Sequence, residues 1–211
     1  MGTTHAIRSL IFESDRYLSR FSDPGIAEVR HGLARRGKGP ATRLEAQPVP
    51  QGGWLDEAIS AVQQADALQA ALWNAKPYLR WVTYDSYPPE EIGEWFPKAH
   101  AFASLIGSGG LIHAQDWELG LFLIAPAILY RDHHHAAPEL YAPITGPHRW
   151  RFGTDQPWLE KQANEPAWNE PWAVHATHTG AVPFLCLFAW TRDVDLPAKV
   201  VHADDWHRLE A

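Results

Sequence analysis

The sequence predicts a mainly β fold, an antiparallel sandwich or barrel, behind a helical N-terminal extension. Three observations lead there. Apolar residues recur at spacings of three and four over residues 1–78, then mostly at spacings of two from Leu79 onward. The second regime is cut by Gly and Pro into many short segments, the pattern of sandwiches and barrels. No apolar run approaches the length of a membrane span. The chain therefore divides into a helical extension, 1–78, and a single compact β unit, 79–211.

The extension begins with Ile7, Ile11, Ser14, Leu18 and Phe21, one amphipathic face of a first helix. Asp23-Pro24 reads as an N-cap followed by Pro at the first helical position, opening a second helix to about Arg35. Residues 36–53 hold three prolines and four glycines without periodicity and read as a loop. Leu55, Ile59, Val62, Ala65, Leu68 and Leu72 stripe a third helix, which Pro77 ends. These helices are expected to pack or to form a homodimer contact rather than to catalyse.

Alternation over 79–84 predicts a strand broken by Pro88-Pro89, then a short helix near 92–96 and a strand near 101–106. Further strands are expected over 117–123, 128–135, 139–144 and 148–152, with Arg149 and Arg151 on a solvated face. Residues 153–166 read as a polar excursion. Strands follow at 172–177 and 182–190, the latter apolar enough to be buried on both faces, before a polar tail containing His202 and His207.

At 45% apolar and 20% charged residues the chain is globular, and its formal charge of −7 without a basic stripe argues against a nucleic-acid-binding surface. The lone Cys186, in an apolar run, excludes an intramolecular disulfide and reads as a buried thiol. With no N-terminal apolar h-region and no membrane span, the expected compartment is the cytoplasm. Eleven tryptophans are the outlier: most should pack, but some can wall a pocket for a cationic ligand.

Chemistry concentrates in 130–146, YRDHHHAAPELYAPITG. On a strand His133 and His135 share a face, and Glu139 and Tyr141 share a face after the Ala136–Pro138 corner. Two imidazoles, a carboxylate and a phenol aimed at one point make a site for one divalent metal of the Zn, Fe or Mn type. A further ligand is expected from a facing strand, where His175 and His178, three apart, point to opposite faces.

The pattern H-x-H-x-x-x-E followed after six residues by Gly146 resembles the first motif of the cupins, with Ala127 where that motif usually opens with Gly. Pro171 ahead of a His some thirty residues on resembles the second motif, in shifted register, and implies His175 as the ligand and His178 as an outer residue or a hydrogen-bond donor to a ligand. Tyr141 two residues past the Glu, Tyr130 just before the His cluster, Trp190 and the helical N-terminus resemble the cupin-type dimethylsulfoniopropionate (DMSP) lyases of marine bacteria, the DddQ type.

That resemblance implies a cupin double-stranded β-helix and β-elimination of a zwitterionic substrate to dimethyl sulfide and acrylate. It implies a metal on His135, Glu139, His175 and Tyr141 with His133 close by, Tyr141 as base, Tyr130 as second base or donor, and Trp190 against the sulfonium. Other cupin chemistries, such as an Fe dioxygenase or a sugar isomerase, and a non-enzymatic ligand sensor share the first motif and stay open on the residues alone.

Overall fold

The computed structural model describes residues 3–42, 44–50 and 53–210. The first two residues, Arg43, Gln51, Gly52 and Ala211, which include part of the predicted loop, lie outside them. The chain opens with helices α1 (Thr3–Leu18), α2 (Ile26–Arg36), α3 (Trp54–Ser60) and α4 (Asp66–Ala75), followed by a 3-10 turn at Lys76–Tyr78 and two short helices, α5 (Pro89–Ile92) and α6 (Phe96–Ala99). The strands then run β1 (His100–Gly107), β2 (Ile112–His113), β3 (Glu118–Ile124), β4 (Leu129–His134), β5 (Glu139–Pro143), β6 (His148–Arg151), β7 (Leu159–Lys161), β8 (Ala167–Asn169), β9 (His175–His178), β10 (Phe184–Trp190) and β11 (Lys199–Val200), before helix α7 (Trp206–Leu209).

They form a six-stranded sheet, ordered β2-β1-β3-β10-β5-β8, and a five-stranded sheet, ordered β11-β4-β9-β6-β7. Apart from the parallel β1–β2 pair, the ladders between them are antiparallel. Phe122, Tyr141, Phe184 and Phe188 from the first sheet meet Tyr130 and Trp150 from the second in one buried interior, the lumen. This is the two-sheet closure expected of a cupin barrel.

The other face of the six-stranded sheet is covered by the N-terminal helices. Ile7, Leu10, Leu18, Val29, Ile59 and Leu72 pack there against Leu121, Leu140, Leu185 and Leu187 in a second, aliphatic core. The predicted stripe of α1 is buried as its period requires, and the Tyr17 hydroxyl donates to the Pro143 carbonyl at 3.0 Å. No helix of the described residues is long and apolar enough to cross a membrane.

Several expectations are corrected. The second helix starts at Ile26 behind Gly25, at φ 79°, and not at Pro24 behind an Asp23 cap; a Cβ at position 25 would sit 1.9 Å from the Trp168 ring, so the turn into the helix requires glycine. The third helix is two helices: at the break Gln63 N–H donates to the Ile144 carbonyl and its side-chain amide to the Gly146 carbonyl, so pairing with the barrel interrupts the stripe. Residues 79–84 make isolated bridges, Arg80 with Gln47 and Val82 with Phe102, rather than a sheet strand. The polar excursion contains β7, and β9 starts only at His175 because Trp172 adopts φ 61°.

Arg151 is not solvated. It is buried and ion-paired with Asp132, which is fully buried, and with Asp205 at 2.7 Å. The Trp206 indole also donates to Asp132, at 2.8 Å, so the tail is docked on the second sheet by buried charge.

Candidate active site

His133 on β4 pairs in register with His175 on β9, and this sets their ring centroids 4.1 Å apart. His135 lies just past the end of β4, its ring 5.1 Å from that of His175. Their nearest ligand nitrogens all lie within 4.8 Å of one another. Glu139 opens β5 and reaches back to them, with Oε2 3.1 Å from His135 Nε2 and 3.3 Å from His175 Nε2.

The orientation of the rings is fixed from behind. Nδ1 of His133, His135 and His175 lies 2.8, 2.8 and 2.9 Å from the carbonyls of Arg131, Ala137 and Ala173. A carbonyl only accepts, so each Nδ1 carries a proton, and the neutral form of each ring has its lone pair on Nε2. Nε2 of His133 and of His175 is buried without a hydrogen-bond partner. Two orphaned acceptors beside a buried carboxylate are costly unless a cation sits among them. Imidazole and carboxylate suit a divalent transition metal, and backbone-anchored imidazoles are typical of its ligands. The donor set fits a metal centre.

Burial, reinforced by the neighbouring imidazoles, holds His133 well below its ordinary value. Burial also depresses His135, but the Glu139 carboxylate outweighs it and raises the group. Burial alone would raise Glu139; His135 and His175 instead hold its carboxyl well below the usual carboxylate range.

Around this cluster the sheet register supplies partners. Glu139 is opposite Trp190 on β10 and Asn169 on β8. The Trp190 indole donates to Oε1 at 2.7 Å and the Asn169 amide to Oε2 at 3.3 Å. Tyr141 lies two residues along the same face, and burial, followed by the Glu139 charge, pushes its phenol well up. Tyr130 stacks on His133 at 3.9 Å and on Phe96 at 3.9 Å, and its hydroxyl lies 2.6 Å from that of Tyr87.

A cavity of about 210 Å³ borders this group at Tyr130 and Trp190 and is lined further by Tyr84, Tyr87, Phe102 and Phe188. A larger cleft of about 580 Å³ lies between residues 46–56 and 73–81, where Asp56 and Lys76 already neutralise each other. It holds no histidine cluster, so size does not decide which of the two is the site.

Of the residues singled out from sequence, Tyr130, His133, His135, Glu139, Tyr141, His175 and Trp190 converge. His133, placed beside the metal by the sequence reading, sits in the imidazole triad itself. His178 does not join them; it meets Arg149 and the Trp158 ring on the other face of β9. Tyr87, Phe96 and Asn169 escaped notice. Tyr87 lies in the irregular stretch before α5, Phe96 opens the short helix α6, and Asn169 is identified only by register.

The motif's glycine positions also have physical causes. A Cβ at Gly146 would lie 2.5 Å from the Ala163 backbone nitrogen, and Ala127 sits at φ 56°, where Gly is the unstrained choice.

No curated protein matches the chain in sequence. Among solved structures, DddQ, a DMSP lyase from Ruegeria pomeroyi DSS-3, superposes with a TM-score of 0.71 at 19% identity, over 94% of this chain and 98% of that one. A structure from the work on the DMSP lyases RdDddP and RnDddQII gives the same score and identity, over 95% of this chain and 100% of that one. At this identity the superpositions establish the shared fold. The family model for dimethylsulfoniopropionate lyases matches residues 27–186, well over half of the sequence, and the chain belongs to that family.

Proposed function

We propose that this carbon–sulfur lyase cleaves DMSP in the lumen, with the histidine cluster and Glu139 at the carboxylate end of the substrate and Tyr141 as the base. The observation that carries the reading is the set of three backbone-anchored imidazoles, two with orphaned Nε2 atoms, converging on Glu139 between two buried tyrosines. His133, His135, Glu139 and His175 would hold one divalent cation, with Tyr141 within reach. Such an ion would supply positive charge that binds the substrate carboxylate, offsets enolate-like charge and favours a phenolate nearby.

The remaining work falls to the chain. Tyr141 removes the proton α to the carboxylate; the C–H electron pair becomes the Cα–Cβ double bond of acrylate. The Cβ–S bond breaks with its pair on sulfur, so dimethyl sulfide leaves neutral. Trp190 and the neighbouring rings offer the departing sulfonium π-faces in place of water. Trp190 and Asn169, donating to both oxygens of Glu139, hold that carboxylate in one orientation.

A second assignment of the base is favoured by one observation: Tyr130 lines the cavity, and its hydroxyl is hydrogen-bonded to Tyr87, which can pass the proton outward. The two assignments separate in one experiment. With metal content confirmed equal, replacing the true base by Phe lowers kcat about 10²–10⁴-fold, and replacing the other tyrosine costs far less. Near-full activity in both Tyr141→Phe and Tyr130→Phe would remove tyrosine from the role.

A further inference from the structure

Two carboxylates flank Trp190 in the cavity wall, Glu118 lining the cavity and Glu139 behind it, and they are in opposite circumstances. Trp190 on β10 lies between them, opposite Glu139 on β5 and opposite Glu118 on β3. Glu139 is matched by imidazoles, an indole N–H and an amide. Glu118 forms no ion pair with any described Lys, Arg or His, and the one group that favours its charge is the neutral Ser104 hydroxyl. It alternates with Gly120 and Phe122 toward the lumen and lines the cavity together with Trp190, Phe102 and Phe188. Burial pushes its carboxyl above its ordinary value, the mark of a negative charge lacking a partner.

A half-buried, unmatched carboxylate at the aromatic end of a substrate cavity is complementary to a cationic tail. A sulfonium is such a cation: it cannot lose its charge by deprotonation and is satisfied only by π-faces and an opposing negative charge.

We propose that Glu118 is the counter-charge for the substrate's sulfonium and sets the preference of this lyase for a cationic over a neutral tail. The assignment rests on the reading of the lumen as the lyase site and adds a specificity residue to it. The zwitterion then lies along Trp190, carboxylate toward the histidines and sulfonium toward Glu118. Because the positive charge disappears as dimethyl sulfide leaves, Glu118 favours bound substrate more than the transition state, and its loss falls mainly on KM.

The test uses two ligands of one shape, titrated calorimetrically into metal-loaded protein near neutral pH. N,N-dimethyl-β-alanine, protonated, carries a cationic tail; 4-methylpentanoate carries the same branched tail without charge. The wild type prefers the cation by about ten-fold. Glu118→Gln loses that preference while binding 4-methylpentanoate as the wild type does, and its KM for DMSP rises about ten-fold with a smaller change in kcat. Glu118→Asp, which keeps the charge, retains part of the preference. An unchanged preference in Glu118→Gln overturns the assignment, and so does a loss in Glu118→Asp as complete as in Gln, which would make the effect one of packing. A wild type that binds neither ligand overturns the lumen reading itself, and Glu118 falls with it.

Discussion

Along β10, Leu185, Leu187 and Ala189 face the helices, while Phe184, Cys186, Phe188 and Trp190 face the lumen. β5 repeats the division, with Leu140 and Ala142 outside and Glu139 and Tyr141 inside. One side of the sheet is thus an aliphatic core with helices as its lid, and the other is aromatic and carries buried His, Glu and Tyr. Aliphatic side chains interdigitate at crystal-like density and contribute stability. The lumen keeps unsatisfied nitrogens and an unmatched carboxylate, groups that cost free energy and are retained where a ligand completes them. The two faces of one sheet therefore separate folding from chemistry, and substitutions ought to sort the same way.

The largest effect belongs to the lumen. His175→Ala should lower DMSP cleavage on the order of 10³-fold and reduce bound metal, read by dimethyl sulfide release and metal analysis. In metal-free protein the loss is one hydrogen bond, from Nδ1 to the Ala173 carbonyl, and a side chain with an orphaned Nε2, so the thermal midpoint should fall less than in an outer-face truncation. On the outer face Leu187→Ala should destabilise the chain by about 2–5 kcal/mol in denaturant unfolding while the folded fraction keeps its activity. A variant on one face that produced the signature of the other would break the division.

The pH dependence of stability sharpens it. His100 accepts the Tyr84 N–H and donates to the Phe96 carbonyl; His148 accepts the Gly180 N–H. Both are needed neutral, and burial lowers each from 6.5 to about 4. A depressed folded-state value means the unfolded chain binds the proton first. The stabilisation is complete above pH 6.5 and is lost as pH falls toward about 4. The expected loss is roughly 3 kcal/mol at most per histidine, seen as a falling urea midpoint between those pH values. A flat profile there would contradict the neutral assignment. The smallest effect is expected from His178→Ala, which faces away from the cluster: kcat/KM within about twofold of the wild type.

Much of this arrangement was legible in the sequence because it follows from strand alternation. His133, His135, Glu139 and Tyr141 were grouped by period two, and the opposite facing of His175 and His178 by their separation of three. What escaped depends on which strands become neighbours. Asn169 joins Glu139 only through the β5–β8 ladder, Tyr87 reaches Tyr130 from an irregular segment, and Arg151 is buried because Asp132 and Asp205 arrive from elsewhere. The split of the predicted third helix has the same origin, since the residues that break it are hydrogen-bonded to the barrel and their own pattern remains helical.

The most direct test of the separation measures two quantities on the same preparations of metal-loaded wild type, His175→Ala and Leu187→Ala: dimethyl sulfide released from DMSP, by headspace gas chromatography, and the unfolding midpoint. The wild type should release dimethyl sulfide, His175→Ala should lose release with a midpoint close to that of wild type stripped of its metal, and Leu187→Ala should lose midpoint while keeping release. Undiminished release by His175→Ala, or equal loss of both quantities in both variants, would contradict a lumen that does the chemistry on a sheet held together from its other side.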